Sequence, residues 1–564
     1  MRTNLATLLG LLLWVGCGAA RPPAGELRFH NRPPVRVVND RLDVPKQPAE
    51  RRYYPTFIAY DVHFQERLTR WMEMRPDRRA ADVNSMDEVP DSTWFTNRIG
   101  VRDLTPDEIR RGPNMKGSPE KHLPLTIKSS KIGGVAVGFI VEDARGEKYV
   151  LKFDTPEFPE SETNTDVVAQ RLLWAVGYNV PEDYVIFIRR KDLVMAPDAK
   201  VVNRMGDEDK MTRSFLDLQM SKIHVEKDGT IRALASRYLD GKPLGGHPRE
   251  GVREDDPNDR VPCQLRRETR GAYAIFSWLD HTDAKEDNTL DMYMEDPADK
   301  EIHYVVHYLV DFGKALGMQA LTNRYKPQGR AFALDLRDSA ISLVSLGLWQ
   351  RPWESKRWPQ HIRGVGMFES RTYDPGRWKA NSPQYRPFLE ADRFDNFWGA
   401  KILIRFTRAQ LRAAVEQGRY SDPRAVDYVT RVLVERQRMT ARHWFARVAP
   451  LDQFAVESTG GARLCFEDLS LRHQLVGSAP GQTRYRARAF DGDGRPLDWR
   501  AVATGTRSGR VCLPRLATPA AAADGYTIIR IETSRPDQSL PGVLVHIARD
   551  PRLGQLRVIG LRRL

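Results

Sequence analysis

The middle of the chain alternates between strand-like and helix-like hydrophobic patterns. From Leu123 to Phe153, three apolar stretches (LPLTIKSS, VAVGFIVED and EKYVLKFD) are separated by segments that contain glycine. Strands bounded by such segments predict an antiparallel meander. The next stretch, SETNTDVVAQRLLWAVGYNVP, combines polar cap residues, apolar positions at helical spacing, Gly177 and Pro181. These signals predict a helix that ends near Gly177.

Further along, the pattern predicts a strand in EDYVIFIRR and another in IRALASRYLDGKPLG. The stretch QLRRETRGAYAIFSWLD places its apolar residues on one helical face. A hairpin is expected from TLDMYM and IHYVVHYLVDFG, turning at EDPADKE, and residues 318–450 contain loops and then helices. Beyond residue 455, short strands alternate with Gly, Pro and Asp turns, which is typical of a small β-sandwich.

These elements predict an α+β fold with several domains, because 564 residues are too many for one small core. The expected division is a leader at 1–20, an N-terminal extension at 21–122, an α+β domain at 123–454 and a C-terminal β-sandwich at 455–564.

The first residues have the features of an export signal. Arg2 is followed by an apolar run from Leu5 to Val15, which is shorter than the roughly 20 residues that span a bilayer. The segment Trp14-Val15-Gly16-Cys17 resembles a bacterial lipobox, which implies a lipid on Cys17 and a membrane partner in the cell envelope, either periplasmic or at the outer membrane. The alternative is an ordinary signal peptide cut after Ala20.

Charge and cysteines add two expectations. The formal net charge is +14, but acidic and basic residues are interspersed, so we expect a solvated surface and no specific nucleic-acid partner. Cys465 and Cys512 lie in strand-like segments, and an oxidising compartment permits a disulfide between them. Cys263 is left over and is expected to be buried. The absence of a C-x-x-C pair argues against a cysteine zinc site.

Three separated segments carry residue types that phosphoryl transfer needs. They are Lys152 on a predicted strand, the loop 281–288 (HTDAKEDN) after a helix, and Asp311-Phe312-Gly313 after the hairpin. A lysine neutralises phosphates, an Asp orients the attacking hydroxyl, and Asn and Asp oxygens bind magnesium. Taken alone, Lys152 is more typical of a solvated strand lysine.

The loop 281–288 resembles the H-R-D-x-x-x-x-N segment of the protein-kinase-like superfamily, and residues 311–313 match its D-F-G. The resemblance implies that Asp283 is the catalytic base, that Asn288 and Asp311 bind Mg²⁺, and that Lys285 contacts phosphate. Lys152 matches the strand lysine of that superfamily. Its partner carboxylate is then expected at Asp166, with Glu162 as the alternative.

The same resemblance implies a two-lobed domain that binds ATP and Mg²⁺, with lobes at about 123–245 and 246–454. Gly133, Gly134 and Gly138 take the place of the glycine-rich loop, although they do not form G-x-G-x-x-G. Tyr238 and Leu239 are expected to hold the adenine. Thr282 replaces the usual Arg, and no A-P-E segment follows residue 313. The chain also looks like a group of uncharacterised secreted bacterial proteins with segments such as DEVPDSTWFTNR.

Two functions follow from these residues. The first is a Mg-dependent phosphoryl or nucleotidyl transferase in an exported lipoprotein. The second is a non-catalytic cell-envelope binding protein with a kinase-like fold, which is favoured by the scarcity of ATP outside the cytoplasmic membrane. The pattern leaves open the acceptor substrate and the oligomeric state.

Overall fold

The structure is a computed structural model. It describes residues 27–51, 58, 60–72, 79–131, 136–203, 207–319, 328–332, 334–351, 362–458, 461–477, 479–516 and 525–564. Cys17, Gly133 and Gly134 therefore lie outside the described residues. Among the described residues, no helix is both long and apolar enough to cross a membrane.

The chain forms two compact units. The larger consists of Val35–Val448 with His473–Val476, and the smaller of Met1–Pro34, described from residue 27, with Ala449–Arg472 and Gly477–Leu564. The segment 21–122, expected as one extension, is thus divided between the two units at residue 34. The remaining domain boundaries stay predictions.

The first half of the larger unit is built on a seven-stranded sheet of described residues, in the order β4-β7-β3-β2-β1-β5-β6. Alternate side chains on its inner face are fully buried, among them Ile127, Val141 and Leu151. Strands β1 and β5 are parallel, and the other neighbours are antiparallel. The strands are β1 Leu125–Ser130, β2 Gly138–Glu142, β3 Lys148–Phe153, β4 Asp183–Arg189, β5 Leu193–Val202, β6 Glu208–Lys210 and β7 Thr230–Arg237.

The second half of the larger unit is mostly helical and holds a small sheet in the order β10-β9-β8. These strands are β8 Lys242–Pro243, β9 Thr289–Glu295 and β10 His303–Leu309. The helices of the larger unit, in chain order, are α1 Glu66–Met72, α2 Pro106–Arg111, α3 Ser161–Val176, α4 Arg213–Met220, α5 Arg267–Leu279, α6 Leu336–Val344, α7 Arg386–Glu390, α8 Arg393–Leu403, α9 Arg408–Glu416 and α10 Pro423–Phe445.

A short segment after β7 connects the two halves of the larger unit. It ends at Gly241, whose φ is +88°. A Cβ at this position would lie 2.3 Å from the backbone oxygen of Tyr293 on β9, so only glycine fits. This glycine lets the connection pass directly from the large sheet to the small one.

Helix α5 packs against α8 at glycine positions. A Cβ on Gly271 would lie 2.7 Å from the ring of Trp398, so the two helices approach closely. Buried ion pairs add to this contact, since Arg270 lies 2.6 Å and Arg267 lies 3.1 Å from the carboxylate of Asp395. The contact fixes the end of α5, which is followed directly by the loop 281–288.

The smaller unit contains two antiparallel sheets, β11-β12-β15 and β14-β13-β16-β18-β19, with β17 paired to β16. Its segment 27–34 packs on the larger sheet, where Phe29 stacks edge-on against His546 at 4.8 Å. Cys465 and Cys512 form a disulfide between β12 and β15. The elements are β11 Leu451–Glu457, β12 Arg463–Asp468, α11 Leu469–Arg472, β13 Arg484–Phe490, β14 Pro496–Thr504, β15 Arg510–Cys512, β16 Thr527–Arg535, β17 Gln538–Ser539, β18 Val543–Arg549 and β19 Leu556–Arg563.

Candidate active site

The end of β3 is tied to the start of α3 by Asp154. Its carboxylate accepts hydrogen bonds from the backbone N–H groups of Glu162 (2.9 Å) and Thr163 (3.1 Å), and from the Thr163 hydroxyl (2.6 Å). A carboxylate at a helix N-terminus satisfies otherwise unpaired N–H groups and interacts favourably with the helix dipole. Because Asp154 follows β3 directly, this cap fixes Lys152 relative to Asp166 on α3.

Lys152 lies between two carboxylates that are distant in sequence. Its Nζ is 2.8 Å from Oδ1 of Asp311 and 3.7 Å from Oδ2 of Asp166. Glu162, the alternative partner, instead pairs with Lys314, next to Gly313. The structure therefore brings together the strand lysine, the helix carboxylate and the first residue of the D-F-G segment.

The charges of this group stabilise one another. Burial opposes the charged form of Lys152, but the carboxylates of Asp311 and Asp166 outweigh it and raise the pKa of the lysine. Burial would likewise raise the pKa of Asp311, yet Lys152 holds that pKa well below its usual range. Both groups are therefore charged at neutral pH. The side chain of Asp311 is 46% exposed, so it remains accessible to a ligand.

A second buried carboxylate, that of Asp183, interacts with Asp166 and Lys152. Asp183 begins β4 and is 1% exposed. Burial raises its pKa to about 6. Burial also raises the pKa of Asp166 well above its usual range, an effect that Lys152 opposes and Asp183 reinforces. Two carboxylates this close disfavour each other's charge, so near neutral pH the group holds fewer negative charges than its residue count suggests.

The loop after α5 carries the second set of predicted residues. Nζ of Lys285 is 3.2 Å from Oδ2 of Asp283. The amide nitrogen of Asn288 donates to the backbone oxygen of Asp283 at 2.7 Å and to its carboxylate at 3.2 Å. These bonds leave the amide oxygen of Asn288 available as an acceptor. The N–H of Val310 donates to the backbone oxygen of Asn288 at 3.0 Å, which holds the loop beside the D-F-G segment.

Two buried rings connect the loop to the D-F-G segment. Phe312 is fully buried and lies edge-on to His281, with ring centroids 6.0 Å apart. Burial lowers the pKa of His281 to about 4, so its imidazole is neutral at neutral pH. Asp311 adopts a left-handed backbone conformation with φ of +62°, which is uncommon for a residue other than glycine. The buried Phe312 follows Asp311 directly in sequence.

The donors gathered here suit a magnesium ion. Asp311 offers carboxylate oxygens and Asn288 offers an amide oxygen, and both are hard ligands of the type Mg²⁺ prefers. The low pKa of Asp311 keeps its carboxylate ionised over the physiological range. The residues present therefore fit the ion that the resemblance implies.

Gly138, Tyr238 and Leu239, which the resemblance assigns to nucleotide binding, lie in or directly after strands of the large sheet. Gly138 lies opposite Lys152 in the sheet, and a Cβ on it would be 2.5 Å from the backbone oxygen of Leu151. Tyr238 follows β7, and its N–H donates to the backbone oxygen of Lys148 at 2.9 Å. Leu239 is half-buried beside it.

Sequence reasoning missed two basic residues near the site. Lys131 directly follows β1, where burial and the neighbouring charge of Lys152 lower its pKa. Lys314 follows the D-F-G segment and pairs with Glu162. With Lys152 and Lys285 they provide four ammonium groups in this part of the unit. The position of Lys131 beside Gly133 and Gly134 was the one signal in the sequence.

Comparison with known proteins gives limited matches. No protein-family model and no curated protein matches the chain. Among solved structures, it is similar to a Rio2 kinase–ADP/Mg²⁺–phosphoaspartate complex from Chaetomium thermophilum, with 14% identity, 35% of this chain and 49% of that chain covered, and a TM-score of 0.19. It spans about half of that kinase. It is also similar to a Golgi casein kinase with Mn/ADP bound, with 10% identity, 66% and 82% coverage, and a TM-score of 0.29.

The larger unit is α+β, and its elements follow one another as a strand with Lys152, a helix with Asp166, the strand β7, the loop 281–288 and the D-F-G segment, which is the order that the sequence resemblance implies. The smaller unit consists mainly of β-strands, and all of its strands follow residue 448 in sequence.

Proposed function

We propose that the larger unit binds a nucleotide together with Mg²⁺ and transfers a phosphoryl or nucleotidyl group. The observation that carries this proposal is the position of Lys152 between Asp166 and Asp311, with the loop of Asp283 and Asn288 held beside them. If the ion pair of Lys152 and Asp311 were purely structural, it would not need the acidic loop 281–288 beside it, and Asp311 would not need to be half-exposed.

The side chains divide the work as follows. Lys152 and Lys285 neutralise phosphate oxygens, and Asp166 holds Lys152 in position. Asp283 orients the acceptor hydroxyl and receives its proton. Asp311 and Asn288 hold Mg²⁺, which when bound offsets negative charge on the phosphates. ATP is the donor that the resemblance implies, and the acceptor is left open.

Calorimetry with ATP and Mg²⁺ on residues 18–564 tests this proposal. Binding is expected for the wild type and is lost in Asp311→Ala. The matched control is Asp198→Ala, which removes an exposed carboxylate from β5 and leaves binding unchanged. Failure of a folded wild-type chain to bind ATP or another nucleoside triphosphate contradicts the proposal.

One observation favours a non-catalytic binding protein as the second candidate. Asp311, the proposed metal ligand, is in direct contact with Lys152 at 2.8 Å, so this carboxylate is already neutralised by the chain itself. A binding protein of this kind would show no Mg²⁺-dependent change in nucleotide affinity. Titrating the wild type with nucleotide in the presence of Mg²⁺ and then of EDTA separates the two functions.

We also propose that the chain is exported and anchored by a lipid on Cys17. The support is the apolar run and the small residues that precede this cysteine. In a bacterial host, labelled fatty acid should be incorporated into the wild type and should be lost in Cys17→Ser. Retention of the label by Cys17→Ser would contradict the anchor, whereas a label-free wild type cut after Ala20 would support simple secretion.

A further inference from the structure

The outer face of the smaller unit carries an ordered set of arginines. In β13 the sequence RYRARAF alternates, with Arg484, Arg486 and Arg488 exposed and the intervening Tyr485 and Ala487 buried. The buried side faces the unit's core, where the hydroxyl of Tyr485 donates to Asp468 at 2.7 Å. All three arginines therefore project from the opposite side of the strand.

The neighbouring strands extend this set sideways. Arg488 lies directly opposite Arg500 on β14 and Arg530 on β16, so three arginines form one row across three strands. Residues paired in this way have Cβ atoms about 5 Å apart, and like charges directly opposite one another are destabilising. Arg530 has a carboxylate neighbour, Glu532, at 2.8 Å.

Arg486 lies directly opposite the same Glu532, whereas Arg484, Arg488 and Arg500 have no carboxylate directly opposite them. Within the described residues, the structure assigns no ion pair to Arg484, Arg486, Arg488 or Arg500, whereas most exposed arginines of α9 and α10 pair with a carboxylate. We call Arg484, Arg486, Arg488, Arg500 and Arg530 the arginine face. The needs of folding alone do not explain the arginine face, because polar uncharged residues on a solvent-exposed sheet surface would avoid the repulsion between neighbouring arginines.

We propose that the arginine face binds the headgroups of an anionic lipid surface. Guanidinium groups bind phosphate oxygens bidentately, and several basic side chains on one surface add their attractions to anionic lipids. The face lies on a sheet rather than in a groove, and its exposed apolar residue Val502 lies opposite Arg486. A broad surface of this kind suits a planar bilayer.

The chain upstream of the smaller unit supports a membrane as the partner. Only the ten steps from residue 17 to residue 27 separate the proposed lipidated cysteine from the described part of this unit, and ten residues reach at most about 35 Å. Phe29 and Asn31 then pack on the sheet that carries the arginine face. This step rests on the proposed anchor, whereas the charge argument does not.

Vesicle co-sedimentation of residues 18–564, prepared without lipid, tests the arginine face by itself. The probe is a vesicle of 30% phosphatidylglycerol in phosphatidylcholine, compared with pure phosphatidylcholine. Since each basic residue near an anionic surface contributes roughly fivefold in affinity, Arg486→Glu with Arg488→Glu should weaken binding at least about tenfold. The matched control is Arg507→Glu with Arg552→Glu, which makes the same charge change in exposed loops of the same unit.

The wild type should bind the anionic vesicles, and raising the salt concentration should release it. Equal binding by the two double variants would overturn the proposal, as would equal binding to both lipid compositions. Salt-sensitive binding to a soluble nucleic acid with no binding to anionic vesicles would assign the face to a different polyanion and would also overturn it. Nucleotide binding in the larger unit is expected to be the same in the wild type and both double variants, so a failure of the nucleotide proposal is measured separately.

Discussion

The disulfide between Cys465 and Cys512 allows a quantitative test of the smaller unit. The two cysteines lie directly opposite each other on β12 and β15, 47 residues apart in sequence. Cys465→Ala combined with Cys512→Ala removes this cross-link. The loop-closure entropy that a link of this length removes from the unfolded chain corresponds to about 4 kcal/mol at 25 °C. The free energy of unfolding of the smaller unit should fall by up to this amount.

Hydrogen exchange measured by mass spectrometry at increasing urea concentration can follow each unit separately. Peptides from β12 and β15 report on the smaller unit, and peptides from α5 report on the larger. The double variant should lose protection in the first set at lower urea and keep it in the second. Cys263→Ala is the matched control, because it removes a free buried thiol from the larger unit.

An unchanged midpoint for β12 and β15 would refute the loop-closure reasoning. A shift of the same size in α5 would instead show that the two units unfold together, which contradicts their treatment as separate compact bodies. Adding a reductant to the wild type should reproduce the effect of the double variant. Reductant should have no effect on the variant itself.

Three further predictions concern the larger unit. The raised pKa of Asp183 means that folding disfavours its charged form, so the wild type should lose stability as pH rises from about 4 through about 6. Asp183→Asn removes this charge, so its stability relative to the wild type should increase over that range, by about 3 kcal/mol at most. Urea unfolding at pH 4 and pH 8 measures this difference. A pH-independent difference would contradict this. Gly138→Ala should destabilise the unit by about 1–3 kcal/mol and weaken nucleotide binding, while Gly481→Ala, which meets open space, should do neither in the same calorimetric and unfolding assays. Asp154→Ala should lower the free energy of unfolding by about 1–2 kcal/mol, because the α3 cap is lost. Asp154→Asn should lower it less, because its amide oxygen still accepts hydrogen bonds. Equal losses for the two variants in urea unfolding would argue against the cap.

Local patterns predicted much of the candidate site. The hairpin of β9 and β10 was visible in the sequence, and it returns the chain to Asn288, so Asp311 is expected beside the loop 281–288. The choice between Asp166 and Glu162 depended on which face of α3 meets β3. Sequence periodicity indicates a buried face but does not identify the strand it contacts.

Other features could not be predicted because long-range packing determines them. Strand β5 contains PDAK and has a polar sequence. Near the edge of a sheet both faces of a strand are exposed, so the alternation of apolar and polar residues that marks a half-buried strand is lost. The segment 27–34 is rich in Arg and Pro and gave no sign that it packs on strands more than 500 residues away. Lys131 was overlooked because a lone lysine after a strand has no pattern of its own beyond the neighbouring Gly133 and Gly134.

The smaller unit is discontinuous in sequence, and this has a consequence for how the protein is made. The amide of Phe29 donates to the hydroxyl of Tyr526, 497 positions later. The ribosome synthesises residues 35–448 between these two partners, so the larger unit can fold before residues 27–34 meet the strands on which they pack. The strands of the smaller unit assemble last, and until then their edges are open to pairing with other chains. Chaperones that bind unfolded chains would therefore act mainly on this late stage of maturation.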